Sequence, residues 1–240
     1  MRLDQLLVQK GLAETRKKAQ ALIMAGHVEV AGQKADKPGR RLDSDAGIVI
    51  KNRYPPYVSR GGLKLEAGLA HFRVDPRGLV LLDAGSSTGG FTDCLLQHGA
   101  KRVIAVDVGY GQLDWRLRQD PRVVVLEKTN LRYLKPEDLE GPVHGATLDV
   151  SFISLKLVVP PVSKLITETG FIMALVKPQF EVGREHVGKG GVVRDPRRHQ
   201  EVLENLSVFF KNLDWTVQGT LPSPLLGPKG NREFLMYLTR

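Results

Sequence analysis

The 240-residue sequence predicts an α/β fold built on a parallel sheet of seven strands. From Gly78 onward, short apolar segments typical of buried strands alternate with helix-like segments, as in a sheet covered by helices on both faces. The first strand-like segment ends at Asp83 and leads into a loop of small residues, Gly85 to Gly90, at the edge where such sheets bind ligands. We therefore expect a Rossmann-like fold, preceded by a small α+β module.

The elements of the larger part are expected in the following order. The predicted strands are residues 79–83, 103–107, 123–126, 146–150, 170–177, 215–219 and 233–238. The predicted helices are residues 61–72, 91–98, 112–118, 152–168 and 197–211. With the N-terminal module included, the expected domains are residues 1–51 and 61–240, joined by a linker at 52–60.

Composition and charge narrow the class of protein. Hydrophobic residues make up 42% and charged residues 25% of the chain, as in ordinary globular proteins. The sequence has no apolar run of about 18 residues, so we expect no membrane span. Polar residues near the N-terminus interrupt the apolar stretch that a signal peptide would need. A single cysteine, Cys94, excludes an internal disulfide and favours the reducing cytoplasm. Residues 1–60 carry an excess of six positive charges out of the net +9 of the chain, which indicates a module that binds a polyanion.

The basic module is expected to begin with two helices. Residues 2–10 carry leucines at helical spacing, and Thr15 is a candidate N-cap for a helix that runs to about Ala25. Arg16, Lys17 and Lys18 lie in the first turn of that helix, where the helix dipole disfavours cations, so phosphate is their natural partner. Strands at 27–30 and 47–51 follow, separated by a loop with Lys34, Lys37, Arg40 and Arg41.

This order of elements resembles the RNA-binding domain of ribosomal protein S-four. The matching positions include Arg2-Leu3-Asp4, Thr15-Arg16, Gly26, Gly32 and Lys37-Pro38. The resemblance implies that the module binds structured RNA through shape and charge, which suits A-form RNA. The RNA-binding residues that we expect are Arg2, Arg16, Lys17, Lys18, Lys37, Arg40, Arg41, Arg60 and Lys189.

Two prolines give the linker an extended path, and its aromatic residues allow two interpretations. Tyr54 and Tyr57 either stack on bases or, as we favour, pack the domains together. The helix after the linker carries Lys64 in its first turn, again an unusual place for a cation that has no task.

The glycine loop favours S-adenosylmethionine over a dinucleotide. A dinucleotide fingerprint requires a glycine two positions after Gly85, where this chain has Ser87. Asp83 before the loop would repel a pyrophosphate but suits an ammonium group, and Asp107 ends the next strand, where a carboxylate accepts hydrogen bonds from ribose hydroxyls. The cofactor-binding residues that we expect are Asp83, Gly85, Ser87, Thr88, Gly89, Gly90, Phe91, Asp107, Val108, Asn130, Leu131 and Asp149, with Asn130 and Leu131 at the adenine.

Two further charged residues end neighbouring strands. Asp149 follows the fourth predicted strand and Lys177 ends the fifth, so both are expected at the cofactor crevice. A lysine that ends an apolar strand needs a partner, and Asp149 is the nearest candidate. A structural salt bridge remains the alternative to a catalytic role.

Lys64, Asp149, Lys177 and Glu233 resemble in order and context the Lys-Asp-Lys-Glu tetrad of FtsJ-type ribose 2′-O-methyltransferases. The flanking stretches resemble the TlyA (hemolysin-A-like) rRNA methyltransferases along nearly the whole chain. They include Ser59-Arg60-Gly61-Gly62-Leu63-Lys64-Leu65, Ser151-Phe152-Ile153-Ser154-Leu155, Val176-Lys177-Pro178-Gln179-Phe180-Glu181 and Gly230-Asn231-Arg232-Glu233-Phe234. The resemblance implies methyl transfer to a ribose 2′-hydroxyl of ribosomal RNA, with cytidine as the expected nucleotide.

The same resemblance implies roles for individual residues. Lys177, held by Asp149 and Glu233, would orient or deprotonate the hydroxyl, while Lys64 would reinforce the field and contact the substrate phosphate. The stretch 183–195, which contains Lys189, would be a mobile basic loop that orders on RNA; a solvated loop is the alternative.

Other functions remain open at this stage. The chain is expected to act as a cytoplasmic monomer on ribosomal RNA or subunits, without a metal or a membrane. A non-catalytic RNA-binding or ribosome-associated factor is one alternative, although such a scaffold has no need of the four tetrad residues. A cytolysin, as the older family name suggests, is another, but no segment resembles a pore former.

Overall fold

The computed structural model describes residues 1–24, 26–50 and 56–240 and divides the chain into two compact units, Met1–Pro56 and Tyr57–Arg240. The expected helix end at Ala25, the strand end at Lys51 and the linker residues 52–55, with Tyr54, lie outside the described residues.

The described residues of the first unit form two helices and a three-stranded antiparallel sheet. Helices α1 (Leu3–Gln9) and α2 (Arg16–Met24) precede strands β1 (Val28–Val30), β2 (Gln33–Lys34) and β3 (Ile48–Ile50), which pair in the order β2-β1-β3. Thr15 is the N-cap of α2, as predicted, because its Oγ1 accepts a hydrogen bond from the Lys18 backbone N–H at 3.2 Å. Apolar residues of both helices and of β1 form the core of this unit.

A buried aspartate joins the two helices of this unit. Asp4 on α1 accepts hydrogen bonds from Arg2 at 3.1 Å, from Arg16 at 2.9 Å and from Gln20 at 2.8 Å. The hydrogen bond from Arg2 is the main cause that holds the pKa of Asp4 well below its usual range. Two of the expected RNA-binding arginines are therefore held in place by one carboxylate.

The second unit contains the larger sheet and the remaining helices. Its helices are α3 (Gly61–Phe72), α4 (Gly90–Gln97), α5 (Trp115–Arg118), α6 (Leu155–Ser163) and α7 (Pro196–Lys211), with 3₁₀ turns at Pro136–Asp138, Pro178–Phe180 and Arg184–His186. Its strands are β4 (Val80–Ala84), β5 (Arg102–Val106), β6 (Val123–Leu126), β7 (Val143–Leu148), β8 (Ile166–Val176), β9 (Thr216–Pro222) and β10 (Phe234–Thr239).

These strands form one seven-stranded sheet in the order β6-β5-β4-β7-β8-β10-β9, which confirms the predicted fold class. The chain proceeds outward from β4 to β6 and then returns to β7 on the other side of β4. This reversal creates a crevice at the carboxyl ends of β4 and β7, where open α/β sheets bind ligands. Buried side chains cover both faces of the sheet, with α6 and α7 on one face and α3 and α4 on the other.

The predicted parallel sheet has one exception, β10, which runs antiparallel to both β8 and β9. Residues 223–233 between β9 and β10 contain no α-helix, and only an antiparallel neighbour can be joined without a crossover. The start of β10 therefore lies beside the end of β8, with Phe234 opposite Val176.

The expected helix at 152–168 is also wrong at both ends. Helix α6 begins after Ser154, whose Oγ accepts from the Lys156 N–H at 3.1 Å, and ends at Ser163 after two consecutive prolines. The chain from Ile166 to Phe171 belongs to β8, and its pairing with β7 shifts register between Val143 and Gly145. Apolar residues on both sides of this boundary continued the helical pattern and hid the strand. The expected helix at 112–118 is shortened in the same way, because Asp114 caps α5.

Within the described ranges, no helix is both long and apolar enough to cross a lipid bilayer.

Candidate active site at the carboxyl ends of the central strands

Two adjoining cavities lie at the crevice between β4 and β7. The larger, of about 490 Å³, extends towards β5 and β6, and the smaller, of about 210 Å³, extends towards the N-terminus of α3. Gly85, Ser87 and Asp149 line both cavities, so the two spaces meet at the glycine loop.

The glycine loop has a backbone conformation that side chains at two of its positions would prevent. Gly85 has a φ of +81°, and a Cβ there would lie 3.0 Å from the main-chain oxygen of Asp149. Gly89 has a φ of +95°, and its Cβ would lie 2.2 Å from a methyl carbon of Leu117. Since both positions also require the left-handed conformation, glycine is needed for the loop to fit between β4, β7 and α5.

Ten of the twelve expected cofactor residues line one cavity or the other. The larger cavity takes Asp107, Val108, Asn130 and Leu131 together with the three shared residues, and the smaller takes Thr88, Gly90 and Phe91. The carboxylate of Asp107 is held by two backbone groups. Its two oxygens accept hydrogen bonds from the N–H groups of Ser87 at 2.8 Å and Gly109 at 2.7 Å.

Asp83 lies below the cavities and not in their walls. It is fully buried, and its two oxygens accept the hydroxyl groups of Thr92 at 2.6 Å and Thr147 at 3.2 Å. Burial raises the pKa of this carboxyl to about 7, and the nearby charge of Asp149 adds to the effect, while the two threonine hydrogen bonds oppose it. In this geometry Asp83 supports the glycine loop through Thr92 and Thr147, and its contact with a ligand ammonium stays a prediction.

Lys177 and Asp149 form an ion pair at the ends of β8 and β7. The Lys177 Nζ lies 2.6 Å from Asp149 Oδ1 and donates a hydrogen bond to Ser151 Oγ at 2.8 Å. The lysine is buried and Asp149 is partly exposed to the cavities. This pairing agrees with the prediction from the two strand ends.

Lys64 and Glu233 form a second ion pair, which was not predicted from the sequence. Lys64 Nζ lies 2.5 Å from Glu233 Oε2, and both residues are buried. We expected Glu233 to hold Lys177; in the structure it holds Lys64. The antiparallel direction of β10 explains its location, because Glu233 precedes β10 and so reaches the edge where the parallel strands end.

The second carboxylate oxygen of Glu233 has no partner among the described residues. It lies against Gly227, where a Cβ would come within 2.4 Å of it. Removing either member of such a buried pair leaves an uncompensated charge and costs about 3–5 kcal/mol. The two ion pairs are therefore strong constraints on how α3, β7, β8 and β10 meet.

The glycine-rich stretch after β8 is tied to the rest of the unit. Buried Asn231 donates to the Gly191 carbonyl at 2.8 Å and accepts the Val193 N–H at 3.0 Å. His199 of α7 contacts the Val193 carbonyl at 2.9 Å. Asn231 thus joins this stretch to the segment that carries Glu233, whereas Lys189 itself is exposed.

Most of the expected RNA-binding residues are surface cations. Lys17, Lys18, Lys37, Arg40, Arg41, Arg60 and Lys189 are exposed. Lys18 pairs with Glu14, and Arg2 and Arg16 pair with Asp4. Arg60 also lines the smaller cavity beside Lys64.

Several residues that line the cavities were not among the expected site residues, and Ser151 and Phe152 are two of them. Ser151 lines the larger cavity and contacts Lys177, and its position two residues after Asp149 was the available signal. Phe152 is 90% exposed at the same cavity, with a positive φ of 63° and its ring 5.1 Å from that of Phe180. A left-handed backbone conformation at an aromatic residue cannot be recognised from local sequence.

Comparison with known proteins follows the same division of the chain. The FtsJ-like methyltransferase family matches residues 57–240, and the S4 domain family matches residues 1–48. The 16S/23S rRNA (cytidine-2′-O)-methyltransferase TlyA of Mycobacterium tuberculosis is 46% identical over 99% of this chain and 89% of its own length. Hemolysin A of Brachyspira hyodysenteriae is 40% identical over 99% of both chains.

A solved structure from Streptococcus thermophilus, of a protein assigned as a hemolysin, has a TM-score of 0.78 and 46% identity, and the alignment covers 100% of this chain and 88% of that one. These matches confirm the resemblance that the sequence indicated, both for the methyltransferase fold and for the RNA-binding module before it.

The burial of Asp83 predicts a pH dependence of stability. An aspartate in an unfolded chain titrates near pH 4, so between about pH 4 and 7 the folded protein holds the proton that the unfolded chain has lost. The contribution of Asp83 is therefore full below its unfolded pKa and is lost as the pH rises through the folded pKa, by at most about 1.4 kcal/mol per pH unit.

Urea unfolding at about pH 5 and about pH 8 checks this expectation. Relative to the wild type, Asp83→Asn should gain stability as the pH rises, whereas the exposed-site control Asp45→Asn should not. A stability difference between wild type and Asp83→Asn that is the same at both pH values would contradict a protonated Asp83.

Proposed function

This chain belongs to the TlyA group of FtsJ-like methyltransferases, and from that premise we propose that it transfers a methyl group from S-adenosylmethionine to a ribose 2′-hydroxyl of ribosomal RNA. The observation that carries the proposal is the position of two lysine–carboxylate pairs with buried lysines, Lys64–Glu233 and Lys177–Asp149, at the crevice between β4 and β7. A cation beside a hydroxyl stabilises the negative charge that develops on its oxygen during attack.

The substrate class has two supports. The S4 domain match and the exposed cations of the first unit suit a structured RNA. Relatives that carry rRNA (cytidine-2′-O)-methyltransferase in their names match this chain, so we propose a cytidine of ribosomal RNA as the target and the cytoplasm as the compartment.

The residues at the cavities fit S-adenosylmethionine. Gly85 has no side chain to fill the space where the two cavities meet, and Asn130 and Leu131 line the larger one. Each oxygen of Asp107 accepts one backbone N–H and keeps a lone pair with which it can bind a ribose hydroxyl. When bound, the cofactor supplies an activated methyl group on its sulfonium.

The chain's own residues then have separate tasks. We propose that Lys177 Nζ orients the 2′-hydroxyl as an ammonium or, in its neutral amine form, takes its proton, while Asp149 holds the lysine in place. Lys64, at the smaller cavity, adds a second positive charge and is held by Glu233. Since the methyl group is already activated, alignment of the hydroxyl should supply much of the rate.

The alternatives have less support. A non-catalytic RNA-binding factor has no need of the four charged tetrad residues beside a cofactor cavity. For the cytolysin, the support is limited to the names of relatives, such as Hemolysin A, and no residue of the site requires that activity.

A labelling experiment tests the proposed function. The purified protein is incubated with methyl-labelled S-adenosylmethionine and separated ribosomal subunits, and the RNA is then hydrolysed with alkali. We expect the label in an alkali-stable dinucleotide, because a 2′-O-methyl group blocks cleavage of the adjoining phosphodiester. Label on a base, on protein or on lipid, with none on ribose, would contradict the proposed function.

Replacing Lys177 should separate catalysis from binding. We expect Lys177→Ala to abolish methylation, because the charge beside the hydroxyl is lost, and to leave cofactor affinity within a few-fold of wild type. Calorimetry measures the affinity, and Lys211→Ala, which removes an exposed lysine at the end of α7, is the matched control. Loss of cofactor binding in Lys177→Ala would assign the residue to binding instead.

A further inference from the structure

The contacts of Lys177 leave one of its three N–H groups poorly satisfied. Two strong acceptors lie close to Nζ, Asp149 Oδ1 at 2.6 Å and Ser151 Oγ at 2.8 Å. The third contact, to the main-chain oxygen of Asp149, is 3.5 Å long and lies outside the usual range of N–H···O hydrogen bonds. An ammonium donates in three directions, so the third N–H remains available to a substrate oxygen.

Two acceptors define the orientation of a lysine ammonium, and one does not. With Asp149 alone, the ammonium group could rotate about its bond to Cε and about the single ion pair. With Ser151 as the second acceptor, the direction of the remaining N–H is fixed. We propose that Ser151 is a positioning residue for methyl transfer, whose hydroxyl fixes the orientation of Lys177 towards the substrate hydroxyl.

The local backbone holds Ser151 where this task requires it. The Asp149 N–H donates to the Ala84 carbonyl at 3.0 Å, which ties the end of β7 to β4. One residue beyond Ser151, Phe152 adopts a positive φ of 63°, a conformation that a bulky residue avoids unless its surroundings impose it. The turn between β7 and the Ser154 cap of α6 therefore fixes the serine above Lys177.

Ser151 also connects Lys177 to the larger cavity. Ser151 is among the residues that line this cavity, whereas Lys177 is not. A hydroxyl that accepts one hydrogen bond still has its own hydrogen to donate, and within the described parts of the chain no acceptor for that hydrogen is found. Ser151 therefore contacts Lys177 and also lines the larger cavity, in which we propose that the ligand binds.

The test uses single-turnover methylation at saturating RNA and cofactor, and it rests on the proposed function. We expect Ser151→Ala to lower the rate constant about tenfold or more, the effect of losing a hydrogen bond to a charged group. The dissociation constants of S-adenosylmethionine and RNA should change less than about threefold. Ser151→Thr, which keeps the hydroxyl at an exposed position, should restore the rate, and Ser207→Ala on α7 is the matched control.

The outcomes distinguish this proposal from the function on which it rests. If the wild-type protein methylates no ribose, the proposed function fails. If the wild type is active and Ser151→Ala is equally fast, the positioning role is wrong. It is also wrong if Ser151→Ala weakens only cofactor binding, or if Ser151→Thr is as slow as Ser151→Ala.

Discussion

Two lysine–carboxylate ion pairs at one edge of the sheet, with both lysines and Glu233 buried, are the constraint on which the rest of this structure depends. A buried charge without its partner costs several kcal/mol, so the segments that carry the four residues must meet in one arrangement. Lys64 and Glu233 are 169 residues apart in the sequence, and Asp149 and Lys177 directly follow the neighbouring strands β7 and β8. Their pairing fixes α3 against the start of β10 and the end of β7 against the end of β8.

The direction of β10 connects this constraint to the site. In a fully parallel sheet, the residue before the seventh strand would lie at the opposite edge, far from the ends of β7 and β8. Because β10 is antiparallel, Glu233 lies next to Phe234, which pairs with Val176, the neighbour of Lys177. One reversed strand thus brings the two ion pairs to the same edge of the sheet, and only a short connection is needed for it.

Local sequence predicted the parts of the site that depend on strand ends alone. Asp107, Asp149 and Lys177 each follow an apolar strand, and the carboxyl ends of neighbouring parallel strands meet at one edge. The partner of Glu233 was beyond prediction because it depends on the direction of β10 and on α3. The burial of Asp83 was missed because it depends on Thr92 and Thr147, two hydroxyls from other elements.

A double-mutant cycle on the free energy of unfolding tests the arrangement of the ion pairs most directly. The single substitutions are Lys64→Met, Lys177→Met and Glu233→Gln. In the two double variants, Glu233→Gln is combined with Lys64→Met or with Lys177→Met. The structure predicts a coupling of about 1–3 kcal/mol between Lys64 and Glu233 and less than about 0.5 kcal/mol between Lys177 and Glu233. A larger coupling of Glu233 to Lys177 than to Lys64 would contradict this account.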